Sequence, residues 1–90
     1  MEFVTLPNAV HYVDDAGTVL AEVTFPDRGD GTVEIDHTFV DDSLRGQGIA
    51  GQLLEHAAQA LEETGRTAHP TCSYAVHWFE KHPERANLLA

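Results

Sequence analysis

The stretch Arg45-Gly46-Gln47-Gly48-Ile49-Ala50-Gly51 decides how this sequence is read, because three glycines and an arginine precede a run with helical periodicity. Glycine tolerates backbone conformations that turn successive amide N–H groups toward one point. With the positive end of the helix dipole, such amides form an anion site suited to a pyrophosphate. The guanidinium of Arg45 adds a bidentate hydrogen-bond donor for such an anion. A glycine-rich helix start that merely allows tight packing is the alternative interpretation.

Two other phosphate-binding loops fit this stretch less well. A Walker A loop needs Gly-Lys-Ser/Thr, which the sequence lacks. Gly46, Gly48 and Gly51 do match the spacing G-x-G-x-x-G, but that fingerprint belongs to a βαβ unit with a ribose-binding acid. The strands predicted before the stretch form a hairpin instead, and the chain is too short for a paired dinucleotide fold.

Alternating apolar residues predict three strands before the glycine stretch. They are expected at Ala9–Asp14, Val19–Phe25 and Thr32–Val40. Residues 26–31 are dense in turn-forming residues and join the second strand to the third as a hairpin loop. Period-two alternation in the third strand places four side chains on one face: Val33, Ile35, His37 and Phe39.

Helical spacing of apolar residues after the glycine stretch predicts a helix from Ile49 to a C-terminal cap at Gly65. The few residues up to Pro70 suit only a short strand or an extended link. A second, aromatic-rich helix is expected over Cys72–His82 and must end before Pro83, because proline disfavours helical geometry in the residue before it. The order of elements indicates a mixed α/β fold with an antiparallel start.

Length and composition limit the class of protein further. Ninety residues predict one domain, covering residues 1–90. The N-terminus lacks the basic start and apolar run of a signal peptide, and no apolar stretch approaches the ~20 residues of a membrane span. We therefore expect a soluble, cytoplasmic protein.

The single cysteine excludes an internal disulfide and zinc sites of the C-x-x-C type, and the histidines lack metal-ligand spacing.

The charge balance is strongly acidic, with 15 acidic side chains against 5 lysines and arginines. Such a surface repels nucleic acid and anionic lipid, which are bound through lysine and arginine. Neither is expected as a partner. A protein adapted to high salt has the same composition, because ions relieve the self-repulsion of its carboxylates. An ordinary acidic protein is the alternative.

The segment Arg45-Gly46-Gln47-Gly48-Ile49-Ala50 resembles the Q/R-x-x-G-x-G/A signature of the GNAT acetyltransferases. The likeness covers most of the chain and is strongest to the minimal GNAT-like N-acetyltransferase domains. Further stretches that carry it are Asp36-His37-Thr38, Ser43-Leu44, Pro70-Thr71-Cys72-Ser73-Tyr74 and Glu80-Lys81-His82-Pro83-Glu84.

This resemblance implies a compact GNAT-like fold with acetyl-CoA, as co-substrate, in a cleft where two parallel strands splay apart. The pyrophosphate would be bound by Arg45, Gly46, Gln47, Gly48, Ile49, Ala50 and Gly51. Phe39 and Val40 would offer backbone groups to the pantetheine arm. The implied activity is acetyl transfer to an amine acceptor that the sequence does not identify. A CoA-binding sensor or interaction module without turnover is the alternative.

The last helix departs from the pattern of larger GNAT enzymes. Their N-x-x-A-x-x-x-Y-x-x-x-G motif supplies a tyrosine that protonates the departing CoA thiolate, whereas Phe79 stands at that position here and has no hydroxyl. The first position is Cys72, a thiol at a helix start, where the dipole favours the thiolate. Cys72 is therefore a candidate nucleophile that accepts the acetyl group. The alternative is a small apolar residue packed beside the cofactor.

His37 is the second candidate catalytic residue. The resemblance puts it near the cleft, and imidazole titrates near neutral pH, which suits a general base. A hydrogen-bonded histidine in the core is the alternative interpretation. Tyr74 could supply a hydroxyl, although helical geometry turns it about 200° away from Cys72.

Overall fold

The computed structural model describes all 90 residues and contains six strands. In chain order they are β1 (Glu2–Leu6), β2 (Ala9–Val13), β3 (Val19–Thr24), β4 (Thr32–Ile35), β5 (His37–Val40) and β6 (Thr67–Pro70). An antiparallel sheet has the order β1-β2-β3-β5, while β4 and β6 form a separate parallel pair. The expected antiparallel start is confirmed.

Two α-helices follow the antiparallel strands, α1 (Ile49–Thr64) and α2 (Ser73–Lys81), with 3-10 turns at Asp42–Leu44 and Pro83–Leu88. The α1 helix ends at Gly65, whose φ of 69° provides the left-handed cap that the sequence predicts. The two helices begin and end within one residue of their expected positions. Neither helix is long and apolar enough to cross a membrane.

The core lies between α1 and one face of the antiparallel sheet. The side chains there that are wholly shielded from solvent include Val10, Ala21, Val23, Leu53, Leu54 and Leu61. These residues alternate along the strands and recur at helical spacing along α1, as an amphipathic layer requires. The mixed α/β architecture predicted from the sequence is therefore present.

The expected strand Thr32–Val40 is interrupted at Asp36, and the prediction that its four residues share one face is wrong. The N–H of Asp36 donates to the carbonyl of Thr24 at 3.3 Å, and His37 pairs with the same Thr24. Two residues thus face one partner, which is a β-bulge and shifts the alternation by one. Val33 and Ile35 are buried, whereas His37 and Phe39 are exposed.

Strand β1 was not predicted. Its residues Glu2–Leu6 pair with β2 through a two-residue turn at Pro7 and Asn8. Only two of its five residues are half-buried and the others are exposed, because β1 is the edge strand of the sheet. An edge strand shows little alternation of buried apolar residues along its sequence, so β1 is recognised as a strand only through its hydrogen-bonded pairing with β2.

Because the core contains no charged residue, the 15 acidic side chains lie outside it, where they outnumber the lysines and arginines and produce a net repulsion. We expect the melting temperature to rise by roughly 5–10 °C between low salt and molar KCl, since the Debye length shrinks from about 10 Å to about 3 Å. Thermal melts followed by circular dichroism measure the change. A melting temperature that KCl leaves unchanged contradicts the high-salt adaptation.

Candidate functional site

The glycine stretch forms the turn that leads into α1. Gly46 and Gly48 have φ values of 80° and 72°, in the left-handed region that side-chain-bearing residues rarely adopt. A Cβ atom added at either position would meet nothing within 4 Å. These two glycines are therefore needed for the shape of the backbone and not for close packing, and the turn they form faces open space.

This turn leaves most of its backbone amides without an acceptor in the protein. The N–H of Gln47 donates to the carbonyl of Leu44 at 3.3 Å, and that of Gln52 donates to Gly48 at 3.2 Å. The unpaired N–H groups are those of Gly46, Gly48, Ile49, Ala50 and Gly51. Concentrated at the positive end of the α1 dipole, they form the kind of cradle that binds phosphate oxygens.

Arg45 lies at the start of this cradle with its side chain exposed, and its guanidinium forms an ion pair with Asp42 at 3.0 Å. Asp41 caps the preceding 3-10 turn by accepting hydrogen bonds from the N–H of Ser43 at 3.0 Å and from its hydroxyl at 2.6 Å. These hydrogen bonds lower the pKa of Asp41, so its carboxylate stays ionised at neutral pH. The arginine is thus held by its acidic neighbour.

A pocket of about 310 Å³ lies between α1 and α2, directly beside the cradle. Its lining residues are Gly48, Gly51, Gln52, Glu55, Tyr74, His77, Trp78, Lys81 and His82. The only lysine of the chain is among them, together with two of its six histidines. The one carboxylate in the lining, Glu55, is ion-paired with Arg85. With one lysine against one ion-paired carboxylate, the lining is close to neutral in a protein of net charge −10.

The two parallel strands separate at one end, where they form an opening. Pairing of β4 with β6 ends at Ile35 and Pro70. The carbonyl of Ile35 accepts hydrogen bonds from the N–H groups of Thr71 at 3.0 Å and Cys72 at 3.2 Å. Beyond this point β5 continues beside β3, while the other chain segment turns into α2. The cleft between splayed parallel strands is therefore present.

Cys72 lies at this opening as the N-cap residue of α2 and is half-buried. Its Sγ accepts a hydrogen bond from the N–H of Ala75 at 3.4 Å and lies 3.5 Å from Oγ1 of Thr38. The thiol thus sits at a helix N-terminus and faces β5 across the gap. This is a position from which a sulfur atom can reach a group inserted between the strands.

The register of β5 decides which backbone groups face the opening. Asp41 donates its N–H to Leu20 on β3, and hydrogen-bonded pairs alternate along an antiparallel ladder. Phe39, two residues earlier, therefore directs its backbone toward β3. Val40 and Thr38 direct theirs to the open edge, so of the two residues expected to offer backbone groups, Val40 faces the cleft.

His37 and Cys72 are not brought together. Adjacent residues of a strand point to opposite faces, and the hydroxyl of Thr38 faces Cys72. The imidazole of His37 therefore lies on the other face of β5, where it is exposed to solvent. Any role for His37 at the opening is exercised from that side.

The aromatic residues of α2 divide between the core and the pocket. Phe79 is buried and packs edge-on against Trp78, with 5.1 Å between ring centroids. Tyr74 instead places its hydroxyl 3.6 Å from the position of a Cβ on Gly51, over the first turn of α1. Burial raises the pKa of Tyr74, so the phenol stays protonated at neutral pH.

Two residues beside these features were not predicted from the sequence as site residues. Glu34 accepts a hydrogen bond from the hydroxyl of Thr71 at 2.9 Å, which fixes its carboxylate at the base of the opening. Lys81 lines the pocket. The spacing of Tyr74, Trp78 and Lys81 along α2 was a usable signal for Lys81, because residues at i, i+4 and i+7 share one helix face.

Comparisons with known proteins identify the class to which this fold and site belong. A family model described as GCN5-related N-acetyl-transferase matches residues 9–88. The chain therefore belongs to this family, as its glycine signature predicts.

Individual relatives agree with that assignment. A solution structure from Staphylococcus aureus, described as GCN5-like, is 30% identical with a TM-score of 0.79, and the match covers 99% of this chain and 87% of that one. The GNAT-family N-acetyltransferase YhbS of Escherichia coli, solved in complex with CoA, is 30% identical with a TM-score of 0.64 over 83% of this chain and 44% of its own.

Among curated proteins, Protein NATD1 of Xenopus tropicalis is 38% identical over 55 residues, which is 61% of this chain and 50% of the relative. The chain thus spans about half the length of the curated relatives it matches.

Proposed function

We propose that this protein binds acetyl-CoA and transfers its acetyl group to an amine. The observation that carries the proposal is the set of unpaired amides at Gly46 and at Gly48–Gly51, beside the pocket that holds Lys81. A pyrophosphate supplies the negative charge and the acceptor oxygens that these unpaired N–H donors require. The similar Escherichia coli protein was solved with CoA bound, which supports the same cofactor class here.

The rest of the cofactor fits the features on either side of the cradle. The pocket between the helices offers Lys81, His77 and His82 to the phosphates and ribose of the nucleotide end. In the other direction, the pantetheine arm lies in the opening, where Val40 and Thr38 offer backbone groups along β5. The thioester carbon then lies near Cys72.

Cys72 is the residue to which we assign the acetyl group. Its thiolate attacks the thioester carbon, the C–S bond to CoA breaks, and CoA leaves as a thiolate that takes up the proton lost by Cys72. A neutral amine then attacks the acetyl-cysteine, the amide forms and the Cys72 thiolate is regenerated. His37, or water, takes the proton of the attacking amine. A cytoplasmic location is proposed with this activity, on the sequence grounds given above.

Phe79 favours a second candidate function. Because Phe79 stands where larger GNAT enzymes have a tyrosine acid and is buried, the chain lacks that group for protonating CoA. A CoA-binding sensor or interaction module without turnover needs no such acid. Release of free CoA thiol from acetyl-CoA, followed with a thiol-reactive dye while amines are varied, separates the two functions. Amine-dependent release supports the enzyme, and binding without release supports the module.

Replacing Lys81 with glutamine should weaken acetyl-CoA binding about five- to tenfold, because the pocket loses its one permanent positive charge. Calorimetry in low salt measures the dissociation constant. Arg28→Gln removes the same charge from a residue that does not line the pocket and serves as the control. Equal, small effects of the two substitutions would remove the pocket from the site.

A further inference from the structure

The antiparallel sheet has a second face, opposite α1, which we term the outer face. One row of it runs directly across the four strands and consists of Val4, His11, Glu22 and Phe39. The first three side chains are half-buried, and Phe39 is 45% exposed. The residues that alternate with this row, such as Val10 and Val23, are wholly buried under α1. The outer face is therefore a solvent-exposed, partly apolar surface.

The outer face leads to the opening from the side away from the pocket. Phe39 follows Thr38, whose hydroxyl lies 3.5 Å from the thiol of Cys72. At the base of the opening, Glu34 is held by the hydroxyl of Thr71. A donor seated in the cradle and pocket occupies the helical side. The acceptor must then approach the acetyl group across the outer face.

The shape and size of the outer face indicate what it binds. Four strands about 4.8 Å apart and about five residues long present roughly 300 Å². A stable interface buries about 800 Å² on each partner, so a second copy held here by this face alone would dissociate. Small-molecule sites are concave, whereas this face is an open sheet and no residue of the sheet lines either cavity of the protein. A transiently bound polypeptide fits best.

Charge selects the kind of polypeptide. Carboxylates border the outer face at Glu2, Asp36 and Glu34, and Glu22 lies within it beside His11, 2.8 Å away. Arg28 pairs with one of these carboxylates, Glu34, at 3.9 Å. With a net charge of −10 over the whole chain, the field around this face attracts a cationic partner and repels an anionic one.

We propose that the outer face docks a basic polypeptide and that the acceptor is a lysine amine of that polypeptide. The lysine passes Phe39 on its four-carbon stem and brings its nitrogen to the acetyl group at the opening. The aromatic ring packs against the stem, and the surrounding carboxylates hold the flanking basic residues. This inference rests on the proposed function and names its acceptor.

A pair of substitutions on β1 tests the docking without touching the opening. Val4 lies in the row on the outer face, and Thr5 is its exposed neighbour on the opposite face of the same strand. Val4→Lys and Thr5→Lys add the same charge to the same edge strand. The acceptor is a short peptide, blocked at its N-terminus, with one central lysine flanked by arginines. A second peptide has glutamates in place of the arginines, and 1,4-diaminobutane is the small amine.

We expect Val4→Lys to raise the KM for the basic peptide about five- to tenfold and Thr5→Lys to change it less than about twofold. The two variants should use 1,4-diaminobutane equally well, and the acidic peptide should be the poorest acceptor. Equal effects of both substitutions on the basic peptide, or 1,4-diaminobutane as the best acceptor, overturn the docking inference alone. If acetyl-CoA neither binds nor acetylates Cys72, the proposed function fails, and the inference fails with it.

Discussion

Replacing Gly48 with alanine should weaken acetyl-CoA binding about 50-fold while the protein stays folded. The Cβ would project from a backbone with φ of 72° into the open space that the unpaired amides face. A methyl group there holds a pyrophosphate away from those amides, and a loss of about 2.3 kcal/mol of binding free energy corresponds to this factor. Calorimetric titration with acetyl-CoA measures it.

Gly17→Ala is the matched control for this experiment. Gly17 has a φ of 84° in the turn between β2 and β3, and a Cβ there also meets nothing within 4 Å. The two substitutions therefore impose a similar backbone strain, of the order of 1 kcal/mol, on folding. Only Gly48→Ala should affect the cofactor. If both variants bind acetyl-CoA as tightly as the native protein, the glycine turn does not hold the pyrophosphate.

Incubation of the native protein with acetyl-CoA should add one acetyl group that hydroxylamine removes, and Cys72→Ser should abolish that adduct. A thioester on Cys72 is labile to hydroxylamine, whereas an amide on Lys81 or on the N-terminus is not. Serine retains an oxygen that can cap α2 through the N–H of Ala75, so the variant keeps the helix start while losing the thiol nucleophile. Intact mass measurement distinguishes the species.

Steady-state rates with an amine acceptor complete the test of Cys72. Transfer through the acetyl-cysteine requires that Cys72→Ser lose nearly all activity, with acetyl-CoA affinity close to native. A variant that acetylates the acceptor at the native rate rules out the covalent route. Direct attack by the amine on acetyl-CoA, with His37 or water as base, would then be the mechanism.

Local signals in the sequence predicted the elements that local chemistry controls. The helix α1 begins after the glycine turn and ends at Gly65 because glycine suits both of those backbone conformations. The helix α2 stops before Pro83 because proline disfavours helical geometry in the residue before it. The bulge at Asp36 had no such signal. It exists because the chain leaves one sheet and joins another, and this depends on partners distant in sequence.

The candidate site could be predicted only where its residues are contiguous. The glycine cradle is one segment, so its anion-binding character can be read directly from the sequence. The pocket is different, because Gly48 and Gln52 meet Lys81 only after α1 and α2 pack together. The position of Glu34 beside Thr71 likewise depends on the parallel pairing of β4 with β6. Contacts of this kind, between residues far apart in the sequence, leave no local sequence pattern from which they could be predicted.

The parallel pairing of β4 with β6 also has a consequence for the order of folding. Val33 pairs with Ala68, so the chain must close a loop of more than 30 residues, about half of it α1, before these strands meet. The β1–β2–β3 meander needs only short turns and forms without this closure. The opening that holds Cys72 is therefore assembled late, from the contacts with the highest entropic cost. A ligand that spans the opening therefore stabilises the contacts that form last in folding.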